Sequence, residues 1–538
     1  MAAAMKTYQP HGLVPVTCAA AAIAAVFLLS LGLGQPAVAA DNPNANGPAP
    51  SATADATGAD IESVRRQLAQ EEARIHELEQ RLAADEAARA AAPAASNAPA
   101  ASGTQAAPGP QYAAPAGASA LAANFGSSGF VLQSADGANT LRFRGNLSVD
   151  GRYYGDAYTP ESADTWLIRK LRPTLEGTLW NFFDFRFMPD FGQGKTILQD
   201  AWADARAKPW LVFQFGKFKA PVGLERLQLE QFARFIEASL TSDLLPYRDI
   251  GFKIGGNVAG GIVNYDVGIF NGAVDGTSTD SNSVPDANST GHFTFDGRLF
   301  FAPFLQAGPS GLKKLGLGVA ETNASNTGIA TPTTTTSLLA GYKTPGQQPL
   351  FNYRADTVMS PAAYNNATIA HGTERRVVPQ LYYYYRFLGL MSEYVREDLQ
   401  VQRRLSTTSA RAAELRNTAW QVQGYWFITG EDEAYDSAKP RCNFGPGCIG
   451  AFELVARYSD LNFDPQSFSN GSSSFASPTA SPQAARAIGT GINWYLNPNF
   501  KVQLDYEVTQ YTGGAARGPK TVDRPDERVL ISQFALIF

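Results

Sequence analysis

Four charged side chains recur at helical spacing inside Phe213–Gly256, a stretch that begins and ends with the alternation of a β-strand. Arg226, Glu230, Arg234 and Glu237 are four, four and three residues apart, so a helix would carry them on one face. Arginine suits phosphate-like anions because its planar fork bonds two oxygens and stays charged. Each acid can also neutralise a neighbouring arginine, so pairing within the helix alone remains an open alternative.

Other basic side chains stand on the strands around this stretch. Arg142 and Arg144 lie on the charged side of an alternating strand, while Lys170 and Arg172 share the polar side of the next strand, beside Arg169. We therefore expect these side chains to face the same interior as the charged stretch.

Three lysines flank the charged stretch, at positions Lys217, Lys219 and Lys253. The first two share strand parity with Phe213 and Phe215, and Gly216 between them could mark a bulge that re-aims them. The side that Lys217 and Lys219 face stays open.

From Thr140 onward, apolar and polar residues alternate with period two, as in Leu141–Tyr153 and Val502–Val508. A strand with one apolar and one charged face suits lipid outside a barrel and water inside it. A soluble β-sandwich would also alternate, but it does not account for an export signal and aromatic strand ends. The prediction is an all-β, transmembrane antiparallel barrel over residues 126–538. About sixteen strands are expected, starting near Thr140, Thr165, Phe182, Ile197, Trp210, Asp249, Gly261, Gly291, Lys313, Arg376, Leu388, Asn417, Ala451, Ala487, Asn499 and Glu527.

An even number of strands places both ends of the wall at one end of the barrel, taken as periplasmic, with tight turns there. The longer connections then face outward, and they are Ala220–Arg248, Gly272–Thr290, Glu321–Arg375, Val401–Arg416, Leu461–Arg486 and Tyr511–Asp526. We expect residues 220–248 to fold into the barrel and narrow it. A helical stripe of Leu229, Phe232, Ile236 and Leu240 would pack that segment on the wall.

The N-terminal part predicts export and self-association. Residues 1–40 combine Lys6, an apolar run and a small-residue exit at Ala37–Ala40, which is the pattern of a cleaved signal peptide. Residues 41–59 and 91–125 read as linkers rich in alanine and proline. Residues 60–90 between them carry a heptad seam from Ile61 to Leu82, which predicts a periplasmic coiled-coil helix. A solvated, unpartnered helix is the alternative.

Two cysteines, Cys442 and Cys448, remain after the signal, inside the one long connection on the periplasmic side, Glu431–Gly450. Cysteines this close in an exported chain suggest a small-loop disulfide. A pair of free thiols is the alternative.

Several blocks resemble the phosphate-selective porin O and P family of bacterial outer membranes. They are GKFKAPVGLERLQ (Gly216–Gln228), YDVGIFNG (Tyr265–Gly272), the ITGE that ends Ala419–Glu431, GAFELVARYSDLNF (Gly450–Phe463) and INWYLNPNFKVQLDY (Ile492–Tyr506). The resemblance covers Thr140–Phe538 and implies a sixteen-stranded homotrimeric barrel with an inward loop between its fifth and sixth strands. It also implies phosphate or polyphosphate held by arginines, a lysine and hydroxyls, and Arg169, Lys170 and Arg172 match the segment that supplies such arginines.

This chain departs from the family pattern in its charges. It lacks a dense alternating arginine run, and its loop has no lysine between Lys219 and Lys253. Acids of inward parity are numerous, namely Asp150, Glu176, Asp184, Asp266, Asp296, Glu393, Asp505 and Glu507. Because rings of charge set pore selectivity, a weakly selective or cation-leaning general porin is the alternative to an anion channel.

Other function classes fit the composition poorly. A net charge of −5 without a basic stripe does not indicate nucleic acid as a partner. The four histidines are scattered, so we expect no enzyme activity, metal site or cofactor. The leading expectation is a homotrimeric channel in the outer-membrane bilayer for passive diffusion of small anions such as phosphate. A structural tether, with the coiled coil reaching toward peptidoglycan, is a further alternative.

Overall fold

The computed structural model describes residues 122–126, 129–155, 163–272, 292–355, 357 and 364–538. The predicted signal peptide, the first linker and the coiled coil lie outside these residues. The strands, in chain order, are β1 Ala122–Gly126, β2 Gly129–Gln133, β3 Thr140–Tyr154, β4 Thr165–Leu179, β5 Phe183–Asp190, β6 Ile197–Lys208, β7 Leu211–Lys219, β8 Arg248–Val258, β9 Val263–Phe270, β10 Thr294–Phe301, β11 Leu315–Thr327, β12 Ile329–Ala330, β13 Thr335–Thr336, β14 Tyr342–Lys343, β15 Pro349–Phe351, β16 Thr368–Tyr385, β17 Leu388–Arg404, β18 Ala410–Phe427, β19 Ala451–Asn462, β20 Pro482–Tyr495, β21 Phe500–Arg517, β22 Lys520–Asp523 and β23 Glu527–Ile537.

Sixteen of these described strands, β3–β11, β16–β21 and β23, form one closed antiparallel wall. The last strand pairs with the first from Val529↔Tyr154 to Ile537↔Asn146, which closes the barrel. The predicted fold class and strand number are confirmed. We call the end that holds Thr140 and Ile537 the terminal end and the opposite end the loop end.

The alternation of the sequence places apolar side chains on the outside of the wall. Leu504, Tyr506 and Phe534 are exposed, whereas the polar neighbours Gln503 and Asp505 are buried inside the barrel. This is the arrangement expected of strands in contact with lipid. Within the described residues, no helix has the length and apolar character needed to cross a membrane.

Helices are short throughout the described residues. The one α-helix among them, α1, spans Leu224–Leu227. Single 3-10 turns occupy Gly192–Gly194, Glu230–Phe232, Leu240–Leu244, Ala259–Gly261, Ser310–Leu312, Pro465–Ser467 and Gly471–Ser473.

Several loop boundaries differ from the sequence-based expectation. Strands β11 and β16 extend into the predicted loop Glu321–Arg375, and β21 extends into Tyr511–Asp526. The predicted loop Val401–Arg416 is mostly strand, because β17 runs to Arg404 and β18 starts at Ala410. Leu399 and Val401 of β17 and Leu415 of β18 pack around Phe475 there. The hairpin β1–β2, which was not expected, starts inside the predicted linker and pairs with the first part of β3.

The connection between β7 and β8, residues 220–247, contacts inward side chains of the wall such as Glu393, Asn493 and Asp505, and we call it the constriction loop. Its residues Leu240, Leu244 and Leu245 are fully buried in one apolar cluster with Tyr342, Phe351 and Phe463 from two loop-end connections. Phe351 stacks on Phe463 at 3.9 Å between ring centroids. The constriction loop is therefore covered by other connections at the loop end.

Candidate functional site

The constriction loop does not form the long helix that its charge spacing predicted. Helix α1 ends after one turn, since Gln228 and Leu229 have extended ψ angles of 138° and 140°. Arg226, Glu230, Arg234 and Glu237 thus share no helical face, and the apolar stripe is also lost because Leu229 is exposed. A short helix is marginal alone, and contacts with the wall override its local preference here.

Acidic side chains of the constriction loop bind basic side chains of the wall. Glu230 accepts from Asn146 at 3.0 Å, pairs with Lys170 at 3.4 Å and contacts the Arg172 guanidinium. Burial raises the pKa of Glu230, but the charges of Arg172 and Lys170 outweigh it and hold that pKa well below its usual range. Glu237 forms ion pairs with Arg152 at 2.5 Å and with Arg169 at 2.8 Å. The loop acids pair with the wall rather than with their neighbours in sequence.

A further acid, Glu225, holds the loop to the opposite wall. Its carboxylate accepts hydrogen bonds from Gln421, Gln423 and Arg457 of the wall, at 2.8–3.2 Å, and from Ser239 and Ser242 of the loop itself. Together with the Glu230 and Glu237 contacts, this fixes the loop across the bore.

Arg234, a predicted anion ligand, is a fully buried anchor. It pairs with Glu433 at 2.9 Å and with Glu453 at 2.7 Å, and it donates to the carbonyl of Ala434 at 3.0 Å. Glu433 belongs to residues 428–450, the connection at the terminal end that carries the disulfide between Cys442 and Cys448. Tyr435 of the same connection donates to the Leu224 carbonyl at 2.6 Å. Arg234 thus joins the constriction loop to a connection from the opposite end of the barrel.

A bulge brings all three basic residues of IRKLR to the interior. In the pairing of β3 with β4, Ser148 faces Lys170 but the next residue, Val149, faces Ile168. Arg169 is therefore an extra, unpaired residue of β4. Two successive side chains, Arg169 and Lys170, therefore point inward. Arg172 beyond them is buried and pairs with Asp190 at 2.6 Å.

The remaining predicted wall residues separate into two groups. Arg144 lies inside, with Gln231 of the constriction loop at 3.0 Å and Glu176 at 3.4 Å. Lys253 also lies inside and pairs with Asp266 at 2.9 Å. Arg142 is exposed near the terminal end, where its backbone pairs with Val131 of β2, so it is displaced from the constriction.

The two lysines around Gly216 face different surroundings. The pairing of β7 with both neighbours runs unbroken through Gly216, so the proposed bulge is wrong. Glycine is needed for another reason, because its φ is +116° and a Cβ would lie 2.2 Å from the Ala201 carbonyl oxygen. Lys217 lies on the same side of β7 as the lipid-exposed Phe215. Lys219, at the end of the strand, points into the barrel and donates to the Gln228 carbonyl at 2.8 Å.

Two cavities meet at the constriction loop. The smaller, of about 140 Å³, lies toward the loop end, and the larger, of about 420 Å³, reaches Phe538 at the terminal end. Arg172, Lys219 and Glu230 line both cavities, so they lie where the two cavities meet. Seven cationic and four acidic side chains line the smaller cavity, and six and three line the larger. Both cavities carry an excess of positive charge.

Sequence reasoning missed Tyr247, whose ring is surrounded by cations. The Cζ atoms of Arg248 and Arg226 lie 4.5 and 4.7 Å from the ring centroid, and Lys219 Nζ lies 5.7 Å from it. Burial opposes ionisation of the phenol, but Arg248 and Lys219 lower its pKa to about 8. The signal available in the sequence was its place between Pro246 and Arg248, directly before a strand that leaves the charged stretch.

Ionisation of Tyr247 should be visible in ion selectivity. Above pH 8 the phenolate adds a negative charge among the cations, so anion selectivity should fall as pH rises through about 8. Reversal potentials measured from pH 6.5 to 9.5 should show this step in the wild type and lose it in Tyr247→Phe. An identical step in both proteins would assign the titration to another group.

The arrangement has no catalytic geometry of the metal-dependent kind: among the described residues, no three histidine, cysteine or acidic side chains come together as metal ligands. What the site provides is two adjoining, water-accessible cavities lined by charged side chains inside a closed barrel. This combination defines the class of membrane channels that pass small solutes.

The profile of the family described as phosphate-selective porin O and P matches residues 141–531, and the chain belongs to this family. It is a porin channel of the outer membrane. A comparison with curated proteins gave no match.

Solved structures to which this chain is similar include the following three. The channel DcaP of Acinetobacter baumannii is 9% identical, with 76% of this chain and 100% of that chain covered and a TM-score of 0.45. The trimer form of OmpT from Vibrio cholerae is 11% identical, with coverage of 74% and 100% and a TM-score of 0.43. OprB of Pseudomonas putida is 9% identical, with coverage of 74% and 94% and a TM-score of 0.43.

Proposed function

We propose that this porin lets small anions, phosphate or polyphosphate among them, diffuse passively across the outer membrane. The observation that carries the proposal is the excess of cationic side chains that line the two cavities, with Arg172 and Lys219 lining both. Low-dielectric walls focus the field of such charges, so a few of them outweigh a negative total charge. Arg169, Lys170 and Arg226 add positive charge on the side of the smaller cavity.

The inward acids, which favoured a cation-leaning pore, are mostly occupied by the scaffold. Asp505 accepts from the Ile236 amide at 2.7 Å, and Glu393 accepts from the Leu224 amide at 2.8 Å. Glu507 pairs with Arg457 at 2.5 Å. These carboxylates hold the constriction loop in place, and the charge of Glu507 is compensated by Arg457. This supports anion selectivity over the general-porin alternative.

Planar-bilayer recording tests the proposal. In a KCl gradient, the reversal potential should have the sign of chloride selectivity, and added phosphate should reduce chloride current by occupying the same passage. A reversal potential near zero or of cation sign, without any effect of phosphate, would favour the weakly selective alternative.

We also propose that the protein is a homotrimer, exported by its signal peptide, with the terminal end and the coiled coil in the periplasm. Barrel contacts should suffice for assembly, so deletion of residues 61–82 should weaken the trimer without abolishing it. Sizing in mild detergent checks this, and a monomer at every concentration would contradict it. A tether to peptidoglycan through the coiled coil is compatible with the channel role.

A further inference from the structure

We propose that the outer face of the wall at the loop end binds phosphate-bearing lipid headgroups through Arg375, Arg416 and Arg486, which we call the outer arginine row. The row lies outside the barrel, so the proposal depends on the membrane location and not on anion selectivity of the channel.

The strand register places the row on the lipid side. On β16, Arg375 shares outward parity with Val377, Leu381 and Tyr385, whereas its neighbour Arg376 is buried inside. On β18, Arg416 shares parity with the exposed Trp420 and Trp426.

Arg486 has the corresponding position on β20, where it shares parity with the exposed Ile488. Each arginine of the row is thus the charged residue that ends an apolar outward series toward the loop end.

The length of the apolar outward series on β16 indicates how deep in the membrane the outer arginine row lies. Val377–Tyr385 follows Arg375 on β16, and nine residues at about 3.4 Å each extend roughly 30 Å along the strand. With a tilt of about 40°, this covers a height close to the apolar band of about 25 Å of such barrels. The row therefore lies where the hydrocarbon ends and the headgroups of the loop-end leaflet begin.

The three arginines are held in the same way. Nε of Arg375 donates to Glu321, Nε of Arg416 to Asp398 and Nε of Arg486 to Asp460, at 2.7, 2.7 and 2.9 Å. Their terminal nitrogens make no hydrogen bond to the described part of the chain, and the side chains are 40%, 53% and 60% exposed. Each guanidinium is pre-oriented with its two-nitrogen edge free, which is the edge that binds phosphate bidentately.

The open forks of the row, and not its net charge, favour an anion. Arg396 also reaches Asp398 at 2.9 Å, and Glu414 and Asp464 act on Arg416, so the carboxylates near the row balance its arginines. Free phosphate could bind the same forks, but it gains nothing from the apolar band directly below. A lipid whose headgroup carries phosphate gains both contacts, so a phosphorylated lipid is the occupant that fits.

The test compares lipid A, which carries phosphate groups, with dephosphorylated lipid A as probes. Full-length protein in detergent is incubated with each lipid, and retained lipid is counted by native mass spectrometry. The wild type should retain lipid A in preference to its dephosphorylated form. The triple variant R375Q/R416Q/R486Q should lose that preference about tenfold or more, because it removes the charge-assisted hydrogen bonds of three guanidinium groups.

A matched control removes three exposed lysines at the terminal end, in K208Q/K313Q/K439Q, and should retain lipid A like the wild type. Reversal potentials of both triple variants should equal that of the wild type, which shows intact channels and separates this test from the proposed function. Equal retention of both lipids by the wild type, or full retention by the arginine variant, would overturn the proposal. Displacement of lipid A by millimolar inorganic phosphate alone would assign the row to free phosphate.

Discussion

Replacement of Lys170 and Arg172 by glutamate is expected to reverse the sign of the ion selectivity. The smaller cavity would change from seven cations and four acids to five cations and six acids. One unit charge about 10 Å from a permeating ion contributes roughly 1.7 kcal/mol at an effective dielectric constant of 20, which is more than tenfold in occupancy. The reversal potential in a KCl gradient measures the change directly, and phosphate block should weaken in parallel.

Single variants separate the effect of the changed charge from the effect of a displaced constriction loop. Lys170→Glu changes the charge with one ion pair lost, at 3.4 Å from Glu230, whereas Arg172 also holds Asp190 and is buried. Arg172→Lys keeps the charge and serves as the matched control, with selectivity near that of the wild type. Unchanged selectivity in the double glutamate variant, with the barrel intact, would place the selective charges elsewhere.

Loss of the Arg234 anchor should have the largest effect on stability and on the width of the bore. Arg234→Met leaves Glu433 and Glu453 buried without their partner, and breaking a buried pair in this way costs about 3–5 kcal/mol. The freed loop should raise single-channel conductance and current noise. Thermal unfolding in detergent together with conductance measures both consequences.

A neutral triple variant provides the control for this anchor. Arg234→Met combined with Glu433→Gln and Glu453→Gln removes the unpaired buried charges. Most of the decrease in unfolding temperature caused by Arg234→Met should therefore be recovered. Conductance should stay high, because the link between the constriction loop and residues 428–450 is still missing. Wild-type conductance in the single Arg234→Met variant would show that the link does not position the loop.

The wall could be predicted from sequence because its signal is local. Each strand alternates by itself, so thirteen of the sixteen predicted starts lie within three residues of the observed ones, as with Thr140, Thr165, Leu388 and Ala451. Strands β16, β18 and β20 begin five to eight residues earlier than predicted. The position of the constriction loop could be predicted from the sequence, but its conformation could not. That conformation depends on partners such as Arg457 and Glu433 that are remote in sequence. The bulge at Arg169 was missed because a shift of register by one residue leaves no mark on polarity when Arg169, Lys170 and Arg172 are all basic.

Two charges have partners that the spacing of the sequence did not indicate. Glu230 is engaged by Arg172 and not by Arg226, which donates to the Ser242 carbonyl at 2.6 Å. Glu507, an acid of inward parity, pairs with Arg457, which also contacts Glu225 of the constriction loop. Helical spacing cannot anticipate a partner that comes from the far side of a closed wall.

The late position of the loop's partners has a consequence for assembly of the barrel. The Ile236 amide and the Arg234 carbonyl bond to Asp505 and Asn493, which follow 269 and 259 residues later in the chain. Contacts across such separations form late, because the entropy of closing the intervening chain must be overcome first. An inserting barrel that still lacks β20 and β21 therefore lacks these two anchors of the constriction loop, and the last restraints on the loop form as the sheet is completed.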